Sequence, residues 1–131
     1  MKTLPLRLEP GADVRIALEA VLVAEHCSAG FVLSGIGSLR VAALRFASAD
    51  RPSLHEGDLE ILTLGGSLSL DGAHLHMSVA DAQGAVWGGH VAEGCIVRTT
   101  AEVLIALLPG WRFTREADPA IGYRELRVQR R

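Results

Sequence analysis

Cysteine is scarce in this sequence: 131 residues include only Cys27 and Cys95. Two thiols cannot build the disulfide framework of a small secreted domain, and they suit a reducing cytoplasm. Long apolar runs are missing too. No stretch of about 18 residues is free of charge, so no helix of this chain is expected to span a membrane. Met1-Lys2-Thr3 opens like a secretion signal, but Arg7, Glu9, Pro10 and Asp13 interrupt any apolar region and no cleavage site follows. A basic excess is also absent. Thirteen Lys and Arg face 15 Asp and Glu, a net charge of −2, which disfavours binding to nucleic acid by bulk charge. No P-loop, paired-cysteine motif or Ser/His/Asp order is present.

What is present is apolar. Hydrophobic residues make up 49% and charged residues 21%, which excludes a disordered chain. The length suits a single domain, residues 1–131, with no internal repeat or linker. One helix is expected over residues 11–26. Asp13 can cap it, and Val14, Ala17, Leu18, Val21 and Leu22 form one stripe. Arg15 and Glu19, one turn apart on the other face, read as a solvated pair.

After the helix the pattern is strand-like. Phe31-Val32-Leu33 is a short apolar run, stopped by Gly35-Ile36-Gly37 read as a tight turn. Residues 39–47 alternate, and residues 48–58 read as a polar loop. A strand over 59–64 breaks at Gly65-Gly66 and resumes over 67–70, before a turn at Asp71-Gly72. Residues 73–81 and 85–92 are two more strands. Over residues 95–108, Thr99 with Glu102 could cap a helix, but alternating apolar and β-branched residues favour a long strand. Residues 111–122 read as a loop and 123–128 as a last strand. Strands 59–64, 75–79 and 95–108 carry more apolar side chains than one helix can cover, so a self-associating face is expected.

The chemistry centres on His74, His76 and His90. A His-x-His pair on a strand places both rings on one face. Whether His90 joins them depends on the turn. Asp81-Ala82-Gln83-Gly84 has the Asp and Gly of a three-residue hairpin loop with a bulge, which pairs Asp81 with Ala85. His76 then lies opposite His90, with His74 diagonal to it. A two-residue loop would put His90 on the other face. The histidine face otherwise carries Ser78, Ala80, Gly88 and Ala92, all small, whereas Leu75, Met77, Val79, Trp87 and Val91 form a core face. Three neutral imidazoles with room for a fourth ligand suit a catalytic divalent ion, zinc first. The alternative is three histidines packed or exposed on a sheet.

Other residues carry weaker signals. Glu93 and Cys95 follow the histidines closely, as an acid/base group and a thiol, or as a solvated glutamate and a small core residue. Ser34-Gly35-Ile36-Gly37-Ser38 offers backbone amides but completes no dinucleotide fingerprint. His26 and His55 have no partner in sequence, and Arg127, Arg130 and Arg131 read as a solvated end.

These motifs occur in order along residues 6–128 and resemble the plants-and-prokaryotes-conserved (PPC or PCC) domain family. The matching stretches include Ser34-Gly35-Ile36-Gly37-Ser38-Leu39, Leu59-Glu60-Ile61-Leu62-Thr63-Leu64-Gly65-Gly66-Ser67 and His74-Leu75-His76-Met77-Ser78-Val79-Ala80-Asp81. Gly88-Gly89-His90-Val91-Ala92-Glu93-Gly94-Cys95, Thr99-Thr100-Ala101-Glu102 and Phe113-Thr114-Arg115-Glu116 follow. The resemblance implies a single-domain α+β fold, a mainly antiparallel sheet with one main N-terminal helix, assembled as a homotrimer. It extends to the fold of acetolactate decarboxylase, whose zinc is held by a comparable His-x-His and a distal His; by that likeness His74, His76 and His90 are the ligands here. Plant members join the domain to an AT-hook and act on DNA. This sequence has no Arg-Gly-Arg-Pro segment, so direct DNA binding is not expected.

Two readings follow. In the first, the chain is a metal-dependent lyase or hydrolase, with Glu93 or Glu60 handling protons and Arg40 or Arg115 binding a small acidic substrate. In the second, it is a non-catalytic trimeric module, regulatory or associated with DNA through another protein.

Overall fold

The computed structural model describes all residues, Met1–Arg131. Its elements in chain order are β1 (Lys2–Leu8), α1 (Val14–Glu19), α2 (Val21–Ala24), β2 (Gly30–Arg45), β3 (Ser53–Ser69), β4 (Gly72–Ala80), β5 (Val86–Val91), β6 (Ile96–Leu107), β7 (Trp111–Asp118) and β8 (Tyr123–Arg130). This is the expected α+β fold, with a mainly antiparallel sheet and one N-terminal helical segment.

Six strands form one sheet in the order β1-β6-β2-β3-β4-β5, and β2 also pairs with β5 through Leu44↔Val91 and Arg45↔His90. The sheet therefore curls until its last strand meets the end of β2. β7 and β8 form a separate two-stranded ribbon.

The helical segment plugs one face. Val14, Leu18, Val21 and Leu22 are buried with Leu39, Leu44, Leu59, Leu68, Leu75 and Ile105 in one core cluster. The stripe was legible in sequence, but the helix is broken at Ala20 into two short pieces. The Asp13 carboxylate caps α1 by accepting from the Ile16 N–H at 3.1 Å, and its other oxygen accepts from the Gly94 N–H at 2.7 Å. Arg15 is not merely half of a solvated pair. It binds Glu19 and donates to the carbonyls of Val91 at 2.8 Å and Ala73 at 3.0 Å, tying the helix to β4 and β5.

The strands are longer than the apolar runs suggested. Gly35-Ile36-Gly37 is no turn but lies within β2, next to register shifts against β6. Bulges need backbone freedom, so the glycines bend a strand instead of ending it. β3 begins at Ser53, inside the expected loop, and continues through Gly65-Gly66. Gly66 sits at φ +147°, and a Cβ there would run into the His74 carbonyl oxygen. The expected loop over 111–122 is mostly strand β7. Its charged residues concealed it, because a ribbon with one covered face needs few apolar side chains; only Phe113 is buried.

The opposite face of the sheet exposes several apolar side chains. Leu104 on β6, Leu33 and Ile36 on β2 and Leu62 on β3 lie on three adjacent strands and are 38%, 52%, 52% and 45% exposed.

Candidate metal centre

The hairpin connecting β4 to β5 sets the site. Gly84 has φ +82°, the left-handed conformation that glycine tolerates. The Asp81 carboxylate accepts from the N–H groups of Gln83 and Ala85, both at 2.9 Å, and the Asp81 N–H donates to the Ala85 carbonyl. The register is then Ala80↔Val86, Val79↔Trp87, Ser78↔Gly88, Met77↔Gly89 and His76↔His90. This is the pairing expected from the turn.

Alternation does the rest. Leu75, Met77, Val79 and Val91 point into the core, while the three imidazoles gather on the other face. Ring centroids are 4.9 Å apart for His74–His76, 5.3 Å for His74–His90 and 4.6 Å for His76–His90. One ring nitrogen from each lies within 4.8 Å of the other two. Three nitrogens held at about 2.1 Å from one tetrahedral ion are separated by about 3.4 Å. The rings must therefore close in by roughly 1 Å to share an ion, a small rotation for half-exposed side chains.

The electrostatics suit neutral donors. Burial lowers the His74 pKa below its usual 6.5, helped by the positive Arg115 and the other two histidines, and opposed by Glu125. Burial also lowers His90, with Arg45 adding to the effect. Neutral imidazole is the form that binds a cation, so the donor set fits a divalent ion.

The ribbon β7–β8 brings to the site Arg115, one of the two arginines expected to bind an acidic substrate, together with Glu125, which the sequence did not single out. Arg115 leans onto β3, its guanidinium donating to Ser67 Oγ at 2.6 Å and its backbone N–H to Asp71 Oδ2 at 2.9 Å. Arg115 and Glu125 border His74 in two adjoining clefts of about 650 and 560 Å³. Arg45 and Tyr123 line the larger one. Arg45 could have been found only by knowing that β5 closes onto β2, and Glu125 only by recognising β7–β8 as a ribbon.

The remaining candidates lie elsewhere. Arg40 is exposed beside the register shift between Leu39 and Val41 of β2. Glu60 is exposed on β3 opposite Ala80, with its carboxylate 3.8 Å from Arg98. Glu93 is exposed in the turn after β5. None of the three borders either cleft beside the histidines. The Cys95 thiol is buried against Ala43, and burial pushes its pKa up to about 11.

The chain belongs to the Plants and Prokaryotes Conserved (PCC) domain family, whose pattern matches residues 1–109. A hypothetical protein from Salmonella cholerae-suis (Salmonella enterica) is similar at 38% identity and TM-score 0.95, over 99% of this chain and 94% of that one. A metal-containing protein from Archaeoglobus fulgidus is similar at 28% identity and TM-score 0.79, over 95% and 92%. A candidate DNA-binding protein from Ralstonia eutropha JMP134 reaches 25% identity and TM-score 0.79, over 95% and 90%. Among curated proteins, the bifunctional protein GlmU of a Synechococcus species is 50% identical over 129 residues. That match takes in 98% of this chain, which spans only 20% of the relative's length.

Proposed function

We propose that this chain is a metal-dependent enzyme, a small lyase or hydrolase, in which His74, His76 and His90 hold one divalent ion, zinc by donor chemistry. The observation that supports this reading is the set of three imidazole nitrogens within 4.8 Å of one another beside an open cleft. The metal-containing relative from Archaeoglobus fulgidus points the same way. A bound ion would supply a Lewis acid and a water of lowered pKa. The chain's own residues favour the neutral forms of His74 and His90, keep the surrounding sheet face small, and admit a small acidic molecule past Arg115. Glu125 lines both clefts, and its charge acts on His74; it is the better candidate for moving protons, since Glu93 and Glu60 open onto other surfaces.

The working unit in this reading is a homotrimer in the cytoplasm. The exposed apolar side chains of Leu33, Ile36, Leu62 and Leu104 support association, and the number three follows from the family. Light scattering should give about three times 13.9 kDa; a stable monomer at micromolar concentration would remove this part. No helix is long and apolar enough to cross a membrane.

A second reading, a non-catalytic DNA-associated module, draws on the Ralstonia relative. The net charge of −2 weighs against direct contact with phosphates. Titration with labelled A·T-rich duplex should show no salt-sensitive, sub-micromolar binding.

The experiment for the first reading is elemental analysis of untagged protein purified without chelator. About one zinc per chain is expected, and little in His76→Ala. A wild-type protein that stays metal-free even after zinc is added would defeat the reading.

A further inference from the structure

Four arginines line the cleft beside His74 and His90: Arg15, Arg45, Arg115 and Arg124. Arg15 is spent on structure, through Glu19 and two backbone carbonyls. The other three guanidinium groups form no ion pair, unlike Arg7, Arg98 and Arg127, which each face a carboxylate. Each makes one side-chain hydrogen bond: Arg45 to the Ala49 carbonyl, Arg115 to Ser67 Oγ, and Arg124 to the Arg115 carbonyl. A guanidinium carries five N–H donors in a fork shaped for an oxyanion, so most of each fork is free.

Their placement is not random. Arg45 is the cross-strand partner of His90, and Arg115 holds Ser67, the cross-strand partner of His74. The two half-buried guanidinium groups thus approach the histidine cluster from different strands, β2 and β7. The carboxylates in the cleft, Asp50, Asp71 and Glu125, leave them unpaired. Keeping two unpaired cations beside histidines is electrostatically unfavourable without an anion to occupy the space. The volume, about 650 Å³, suits a small molecule.

We propose that Arg45 and Arg115 form a two-pronged oxyanion site astride the histidine cluster, which takes a small molecule carrying an oxyanionic group at each end. The inference extends the reading of this cleft as a functional site, but it does not depend on the metal. Each guanidinium grips one end, leaving the middle of the molecule over the imidazoles. Arg40, the other arginine singled out in the sequence, has no part in it.

The test uses chelator-treated, metal-free protein at low ionic strength. Calorimetric titration with succinate, inorganic phosphate and neutral succinamide is compared across wild type, Arg45→Gln, Arg115→Gln, Arg115→Lys and Arg40→Gln. Succinate should bind the wild type, and each Gln variant should lose about tenfold or more, as expected for one charge-assisted pair. Arg115→Lys should fall between, Arg40→Gln should match wild type, and succinamide should not bind. Circular dichroism confirms that the variants fold. Failure of the wild type to bind either anion, or unchanged binding in both Gln variants, would overturn the proposal. Phosphate binding lost only in Arg115→Gln, with no succinate binding, would overturn its two-ended form. Zinc binding measured on the same variants separates this outcome from failure of the metal reading.

Discussion

His76 stands directly opposite His90 across the β4–β5 pair, with ring centroids 4.6 Å apart and the rings nearly perpendicular. This relationship exists because the connection between the strands has three residues in its loop. Deleting Gln83 should leave a two-residue loop and turn His90 to the core face, since a one-residue slip exchanges the faces of a strand. The expected outcome is loss of zinc binding by more than tenfold. Retained binding in a folded deletion variant would show that the register does not assemble the site.

Acid should destabilise the metal-free protein through the same histidines. Folded His74 and His90 have pKa values below 6.5, chiefly from burial and then from Arg115 and Arg45 respectively. The unfolded chain therefore binds more protons as pH falls through 6.5, and stability declines until the lowered folded values are passed. Thermal melts between pH 7.5 and about 5 should show a shallower decline in His74→Gln than in wild type. Parallel curves would contradict the shift. Because both groups are partly solvated, the difference should be small.

Asp13 joins two structures with one carboxylate, capping α1 and holding the turn at Gly94. Asp13→Ala should cost about 1–3 kcal/mol by denaturant unfolding, from a lost cap and an unpaired N–H. Asp13→Asn should retain most of the cap but weaken one of the two bonds.

The two thiols should separate by reactivity. Cys27 is partly exposed, whereas Cys95 is fully buried with its pKa raised to about 11. Iodoacetamide at pH 8 should label Cys27 in the native protein and Cys95 only after unfolding, as read by mass spectrometry. Rapid native labelling of Cys95 would show that the Ala43 strand opens.

The histidine cluster was legible in the sequence because strand alternation and the Asp81–Gly84 turn are local chemistry. Leu18, on the helical stripe, and Leu75, on the core face of a strand, were legible from equally local periodicity. The cleft walls were legible only in part: Arg115 stood out as a candidate for an acidic substrate, but its place beside His74 did not. Arg45 reaches His90 only because β5 closes onto β2, and Arg115 and Glu125 reach His74 only because β7–β8 folds back over the sheet. Both are long-range events with no short-range signature. The glycines at 35, 37, 65 and 66 misled because a glycine suits a bulge or a close strand approach as well as a turn.

The central claim, that these three histidines hold one metal ion, is tested most directly by crystallography at the zinc absorption edge on zinc-loaded protein. The account predicts one anomalous peak per chain, about 2.1 Å from a ring nitrogen of each of His74, His76 and His90. A peak elsewhere, or none in fully loaded crystals, would contradict it.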